Sequence, residues 1–146
     1  GYAATPKAIV DEMKKLMEHM VSGVTAVAQR AALAAVTGPQ DCVADMVSAY
    51  RRRRRIVHEG LNAIEGITCL EPEATFYAFP NISALDMSAW DFARFLVKEH
   101  KVAVVPGSIF GRRGEGYVRL SFAADEQALE EGLRRIAQAA AELRRQ

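Results

Sequence analysis

The sequence predicts an α/β chain, most of it an α+β small domain in which helices cover one face of a small sheet. Three observations carry that prediction. From Pro39 onward, apolar periodicity runs in the order helix, strand, strand, helix, strand, strand, helix. Residues 117–122 alternate Tyr117, Arg119 and Ser121 with Val118, Leu120 and Phe122, the pattern of a half-buried strand. Residues 1–38 differ in kind, with two helical stretches and no strand of their own. The expected division is therefore residues 1–38, part of another packing unit, and residues 39–146, the small domain.

Each element has a local reason. Thr5-Pro6 reads as a cap followed by a first-turn proline. Ile9, Met13, Leu16, Met17 and Met20 then keep helical spacing until Ser22-Gly23 breaks it. Ala26 to Val36 is a narrow, alanine-rich helix, and Gly38-Pro39 punctuates the chain. Asp41 is placed to cap a long helix from Cys42 to Ile64, which Gly66 ends. Short strands are expected at Ile67–Leu70 and at Ala74–Phe79, the second closed by Pro80-Asn81. Trp90 to His100 is an amphipathic helix with Phe92, Phe95, Leu96 and Val97 expected inward, and Val102–Val105 is a strand. After the Tyr117 strand, a helix opens at Asp125 and repeats Leu129, Leu133, Ile136, Ala140 and Leu143 at helical steps.

Composition excludes several function classes. At 146 residues, 50% apolar and 25% charged, the chain reads as an ordinary globular domain. A net charge of +1 provides no global field for nucleic acid or an anionic membrane. No apolar run approaches the ~18 residues of a membrane-spanning helix, and GYAATPKAIV does not read as a signal peptide. Cys42 and Cys69 lack metal-type spacing and are expected to be buried, reduced thiols of a cytoplasmic protein. The scattered His19, His58 and His100 give no metal set.

Two features invite a functional reading. Arg51–Arg55 is a run of five arginines, but five consecutive helical residues sweep about 400°, more than a full turn, so they cannot form one basic face. Solvated helix surface, with some arginines paired to acids, is the reading preferred over a nucleic-acid patch. The second feature is the loop of Gly107, Gly111, Gly114 and Gly116, which runs directly into the strand carrying Arg119. The loop alone is a tight turn between strands and lacks the spacing of a phosphate cradle. Arg119 adds chemistry: a guanidinium on a strand whose other face is core needs an anionic partner. An internal Asp or Glu is one candidate. A ligand carboxylate, gripped through two parallel N–H···O bonds that lysine cannot reproduce, is the other. The ATFYAFP stretch is core by default, with Thr75, Tyr77 and Phe79 on one face and Phe76 and Ala78 on the other.

Together these segments resemble class I/II aminotransferases, the fold type I enzymes that depend on pyridoxal 5'-phosphate (PLP), most closely the aspartate aminotransferase-like group. Pro106 through Ser121 follows P-G-x-x-F-G-x-x-G-x-x-x-x-R-x-S, similar to the family's C-terminal signature. ATFYAFP resembles the family's GAFYxFP strand. GYAATPKAIVDEMKKL resembles the stretch after the cofactor-lysine segment, and SGVTAVAQRAALAAV the helix near the dimer interface. The resemblance implies the C-terminal domain of a PLP-dependent transferase fold, with residues 1–38 forming the end of the large domain and connecting helices. It further implies that Arg119 binds the substrate α-carboxylate, that Phe76 lies near the substrate, and that Gly107 and Gly111 shape the pocket wall. Ser22 and Gly23 match a loop near the dimer partner's site. Substrates would be an amino acid and a 2-oxo acid, and the full-length enzyme a homodimer.

Two departures stand out. Ala74-Thr75 replaces the family's Gly-Ala. None of Lys7, Lys14, Lys15, Lys98 and Lys101 occupies the motif's lysine position, so the lysine that carries the cofactor is expected upstream of Gly1 and the chain alone is expected to be inactive. A non-catalytic interaction module descended from the small domain remains the alternative; upstream sequence carrying that lysine would separate the two.

Overall fold

The structure, a computed structural model, describes residues 2–145. It divides into two compact units, Gly1–Cys42 and Val43–Gln146.

The first unit is helical. Helix α1 (Lys7–Val21) begins after Pro6, which stands at the cap position and offers no side-chain cap. The helix thus starts one residue later than the Thr5-Pro6 pattern suggests, and the Pro6 carbonyl accepts from the amides of Ile9 and Val10. Ser22 ends it at φ 61°, a left-handed turn that a non-glycine residue adopts only at some cost. Helix α2 (Ala26–Thr37) is capped by Thr25, whose hydroxyl oxygen accepts from the Ala28 amide at 3.3 Å. Neither helix buries a residue; Ile9, Met13, Leu16, Met17 and Met20 all lie exposed.

In the second unit, a three-stranded sheet carries its polar positions on one side and its core on the other. Helix α3 (Asp41–Asn62) leads into it, with Asp41 as its first helical residue rather than its cap. Strands β1 (Tyr77–Ala78), β2 (Val105–Pro106) and β3 (Val118–Ser121) form an antiparallel sheet in the order β1-β3-β2. Tyr77 pairs with Ser121, Ala78 with Leu120, and Val105 with Arg119. Ala78, Val118 and Leu120 are buried, as is Phe122 just beyond β3. They join one core with Val57 and Leu61 of α3, Phe92 of α4 (Ala89–Phe95), and Leu129, Ile136 and Ala140 of α5 (Glu126–Leu143). Ser88 caps α4 and Asp125 caps α5, each accepting from an amide one turn on. After Phe95 the helix widens into a π turn over Leu96–His100 and stops at Lys101, φ 57°.

The strands are shorter than the sequence suggests, for visible reasons. The Asn62 side chain accepts from the Cys69 amide at 3.0 Å and donates to the Cys69 carbonyl at 2.9 Å, satisfying the groups a ladder would use. Only the Thr68–Asn81 bridge remains of the Ile67–Leu70 strand. Thr75 adopts φ 66°, and its hydroxyl oxygen accepts from the Tyr77 amide, so β1 cannot extend toward Ala74. Cys69 is buried as expected, but Cys42 is exposed in the first turn of α3; both are free. Of the arginine run, Arg52 pairs with Glu126, Arg54 with Glu71, and Arg53 lies over the Tyr50 ring. Among the described residues no helix is long and apolar enough to cross a membrane, and no cluster of metal-ligating side chains occurs.

Candidate functional site

Arg119 sits on the central strand, hydrogen-bonded neighbours on both sides, so its backbone has little freedom. Alternation turns its side chain to the face opposite Val118 and Leu120, where it is half-buried. Its guanidinium carbon lies 4.3 Å from the centroid of the Tyr77 ring and 4.6 Å from that of Phe110. Both distances are in cation–π range. Among the described residues no carboxylate comes within 4.0 Å of it. The internal acid that the sequence left open as a partner is therefore not supplied there.

Tyr77 reaches Arg119 from β1, across the sheet. Phe110 arrives from the 3₁₀ turn Gly107–Phe110, which the close glycines make possible. Gly107 is buried and its amide donates to the Tyr117 carbonyl at 2.8 Å. A Cβ at Gly107 would meet the carbonyl oxygen of Gly114, the Tyr117 carbonyl at 2.6 Å and the Phe79 ring at 3.0 Å. Only glycine fits. Gly111 turns at φ 124°, a conformation that disfavours any side chain, although the space around it is open.

The rings around the arginine form a continuous wall. Phe79 stacks on Tyr117 with centroids 5.3 Å apart, and it meets Phe110 edge-on at 6.2 Å. Tyr77, Phe79 and Tyr117 also line a cleft of about 710 Å³, with Asn62, Asn81 and Cys69 on its other sides. Burial pushes the Cys69 thiol up from its ordinary value, a shift partly opposed by a backbone hydrogen bond at Phe79. The thiol's Sγ–H donates to the Leu70 carbonyl at 3.3 Å.

The other residues singled out from sequence fall in different places. Phe76 is stacked on Tyr50 at 6.0 Å on the core-side edge of the sheet, yet its ring also lies 4.6 Å from that of Tyr77. It thus connects to Arg119 through one intervening ring. Ser22 and Gly23 belong to the first unit, in the turn after α1. Sequence pattern alone does not pair Tyr77 and Phe110 with Arg119. Strand alternation already put Tyr77 on the arginine's face, whereas nothing local to the sequence signals the reach of Phe110.

The family model for aminotransferase class I and II matches residues 1–136. The chain belongs to that family. Relatives include the aspartate aminotransferase of Geobacillus stearothermophilus, 43% identical over 141 residues, covering 93% of this chain and 35% of that protein. The aspartate aminotransferase of Pyrococcus horikoshii is 38% identical over 141 residues, covering 95% of this chain and 36% of its own. Among solved structures, the aromatic aminotransferase from Pyrococcus horikoshii superposes with a TM-score of 0.89 at 35% identity, covering 95% of this chain and 38% of that one. The α+β architecture is thus shared with that aminotransferase. The chain spans about a third of the length of the relatives it matches, corresponding to a C-terminal portion.

Proposed function

We propose that this chain is the substrate-carboxylate-binding portion of a PLP-dependent aminotransferase, which moves an amino group between an amino acid and a 2-oxo acid. One observation carries the reading. A half-buried arginine on the central strand, held against two rings beside a glycine loop, has no acid partner among the described residues. A planar carboxylate meets that need with paired, charge-assisted bonds.

In this reading Arg119 donates two N–H groups to the two oxygens of the α-carboxylate, fixing the α-carbon relative to the chemistry. The Gly107–Gly111 turn forms the near wall, and Phe76 borders the substrate through Tyr77. Ser22 and Gly23 approach the site of a dimer partner in the full-length homodimer. PLP, when bound, supplies the electron sink that such a transfer requires. None of Lys7, Lys14, Lys15, Lys98 and Lys101 stands at the position of the family's cofactor lysine. Sequence outside these residues would supply that lysine, and the chain alone would be inactive. The full-length enzyme would be cytoplasmic and bind neither nucleic acid nor membrane.

Arg119→Lys in the full-length enzyme tests the assignment. Lysine keeps the charge and loses the planar fork. A charge-assisted hydrogen bond contributes about 1.5–3 kcal/mol, so kcat/KM should fall roughly ten- to a hundredfold. An unchanged kcat/KM would remove Arg119 from the site.

A further inference from the structure

We infer that Tyr77 and Phe110 are positioning residues that set the plane of the Arg119 guanidinium and thereby make the site selective for a flat carboxylate. The inference rests on the reading of Arg119 as the carboxylate ligand and adds to it. An exposed arginine samples many rotamers, and that freedom is lost when it grips a ligand. Here the guanidinium carbon lies over two ring faces, at 4.3 and 4.6 Å. Guanidinium groups stack on aromatic faces, so both rings favour an orientation that leaves the N–H edges available.

Both rings are themselves held. Tyr77 sits in β1, paired with Ser121. Its amide donates to the Thr75 hydroxyl oxygen at 3.2 Å, and Thr75 tolerates φ 66° to reach that geometry. A β-branched residue in the left-handed region is a strained feature, and here the strain fixes the start of the strand that carries Tyr77. Phe110 is placed by the turn that only glycine at position 107 allows, and it is braced by the edge of Phe79. The sequence departure at Ala74-Thr75 thus acts through Tyr77 rather than through Phe76.

The arrangement has a consequence for substrate class. A carboxylate is planar and presents both oxygens in the guanidinium plane. A tetrahedral phosphonate that sets two oxygens in that plane carries its third oxygen and its carbon out of it on opposite sides, so it displaces the α-carbon and crowds rings held close to the guanidinium.

The test uses the full-length enzyme loaded with cofactor. Calorimetry measures the Kd of α-methyl-L-aspartate, which has no α-proton to lose, of its α-amide, and of its analogue with phosphonate in place of the α-carboxylate. Phe110→Leu and Tyr77→Leu should each weaken the acid about three- to tenfold, leave the amide unchanged, and narrow the preference for carboxylate over phosphonate. Tyr77→Phe, which keeps the ring, should retain the acid's affinity to within about twofold. Phe110 is exposed, so its variant tests the idea even if Tyr77→Leu fails to fold. Unchanged acid affinity in Phe110→Leu, alongside lost affinity in Arg119→Ala, would overturn the positioning role alone. Full acid affinity in Arg119→Ala would overturn the carboxylate reading and the positioning role with it.

Discussion

The two units of this chain are built from equally regular helices, yet they differ in what those helices bury. In the first, α1 carries an apolar stripe from Ile9 to Met20 and buries none of it. In the second, α5 carries a stripe of the same period and buries Leu129, Ile136, Ala139 and Ala140 against a sheet. Periodicity therefore specifies a helix and a face, but burial depends on a partner surface. The second unit contains its own. That is also where Arg119 lies, on a strand fixed from both sides, so the candidate site rests on the part of the chain with a core.

The largest expected contrast is in stability. Phe92→Ala empties a fully buried position in the second unit and should cost about 3–5 kcal/mol. Leu16→Ala in α1 removes an exposed side chain and should change stability by less than about 0.5 kcal/mol. Urea unfolding of the 146-residue chain reads both. Equal effects would mean that the first unit has a core of its own.

Glycines sharpen the same comparison at smaller scale. Gly107→Ala forces a Cβ against backbone oxygens and should cost about 1–3 kcal/mol, the range for overpacking. Gly23→Ala meets open space and should be tolerated. Thermal melting curves that rank the two in the opposite order would contradict the packing described around the loop.

The smallest effect is electrostatic. Arg134 and Arg135 hold the Glu131 carboxyl at about 2, below its ordinary range. Because the folded value is depressed, the stabilisation is present above the ordinary carboxylate range and is lost as pH falls toward 2. The group is washed by solvent, so the contribution is modest. Glu131→Gln should lower the melting temperature slightly at neutral pH, and the difference should shrink as pH falls and vanish only below about 2. A difference that persists there would assign it to packing.

Much of this was legible in the sequence. The alternation through Val118, Leu120 and Phe122 gives the strand and its buried face, and Arg119 on the other face follows from it. The α5 stripe reads the same way. Strand lengths did not, because side chains intervene. Asn62 takes the backbone groups of Cys69, and Thr75 turns the chain before Tyr77. Helical patterning through Trp90–His100 likewise gives no sign of the π turn at its end. The ring of Phe110 over Arg119 depends on how a glycine turn folds back, a tertiary event with no local signature.

The most direct measurement compares Arg119→Ala with the unaltered full-length enzyme on an amino acid that the enzyme turns over and on the α-amide of that amino acid. If the arginine reads the α-carboxylate, kcat/KM for the acid should fall by more than a hundredfold, since about 2.7 kcal/mol or more is lost. The amide, which never used the guanidinium as an ion pair, should lose far less. Equal losses on both substrates would contradict the account and make Arg119 a structural residue of the sheet.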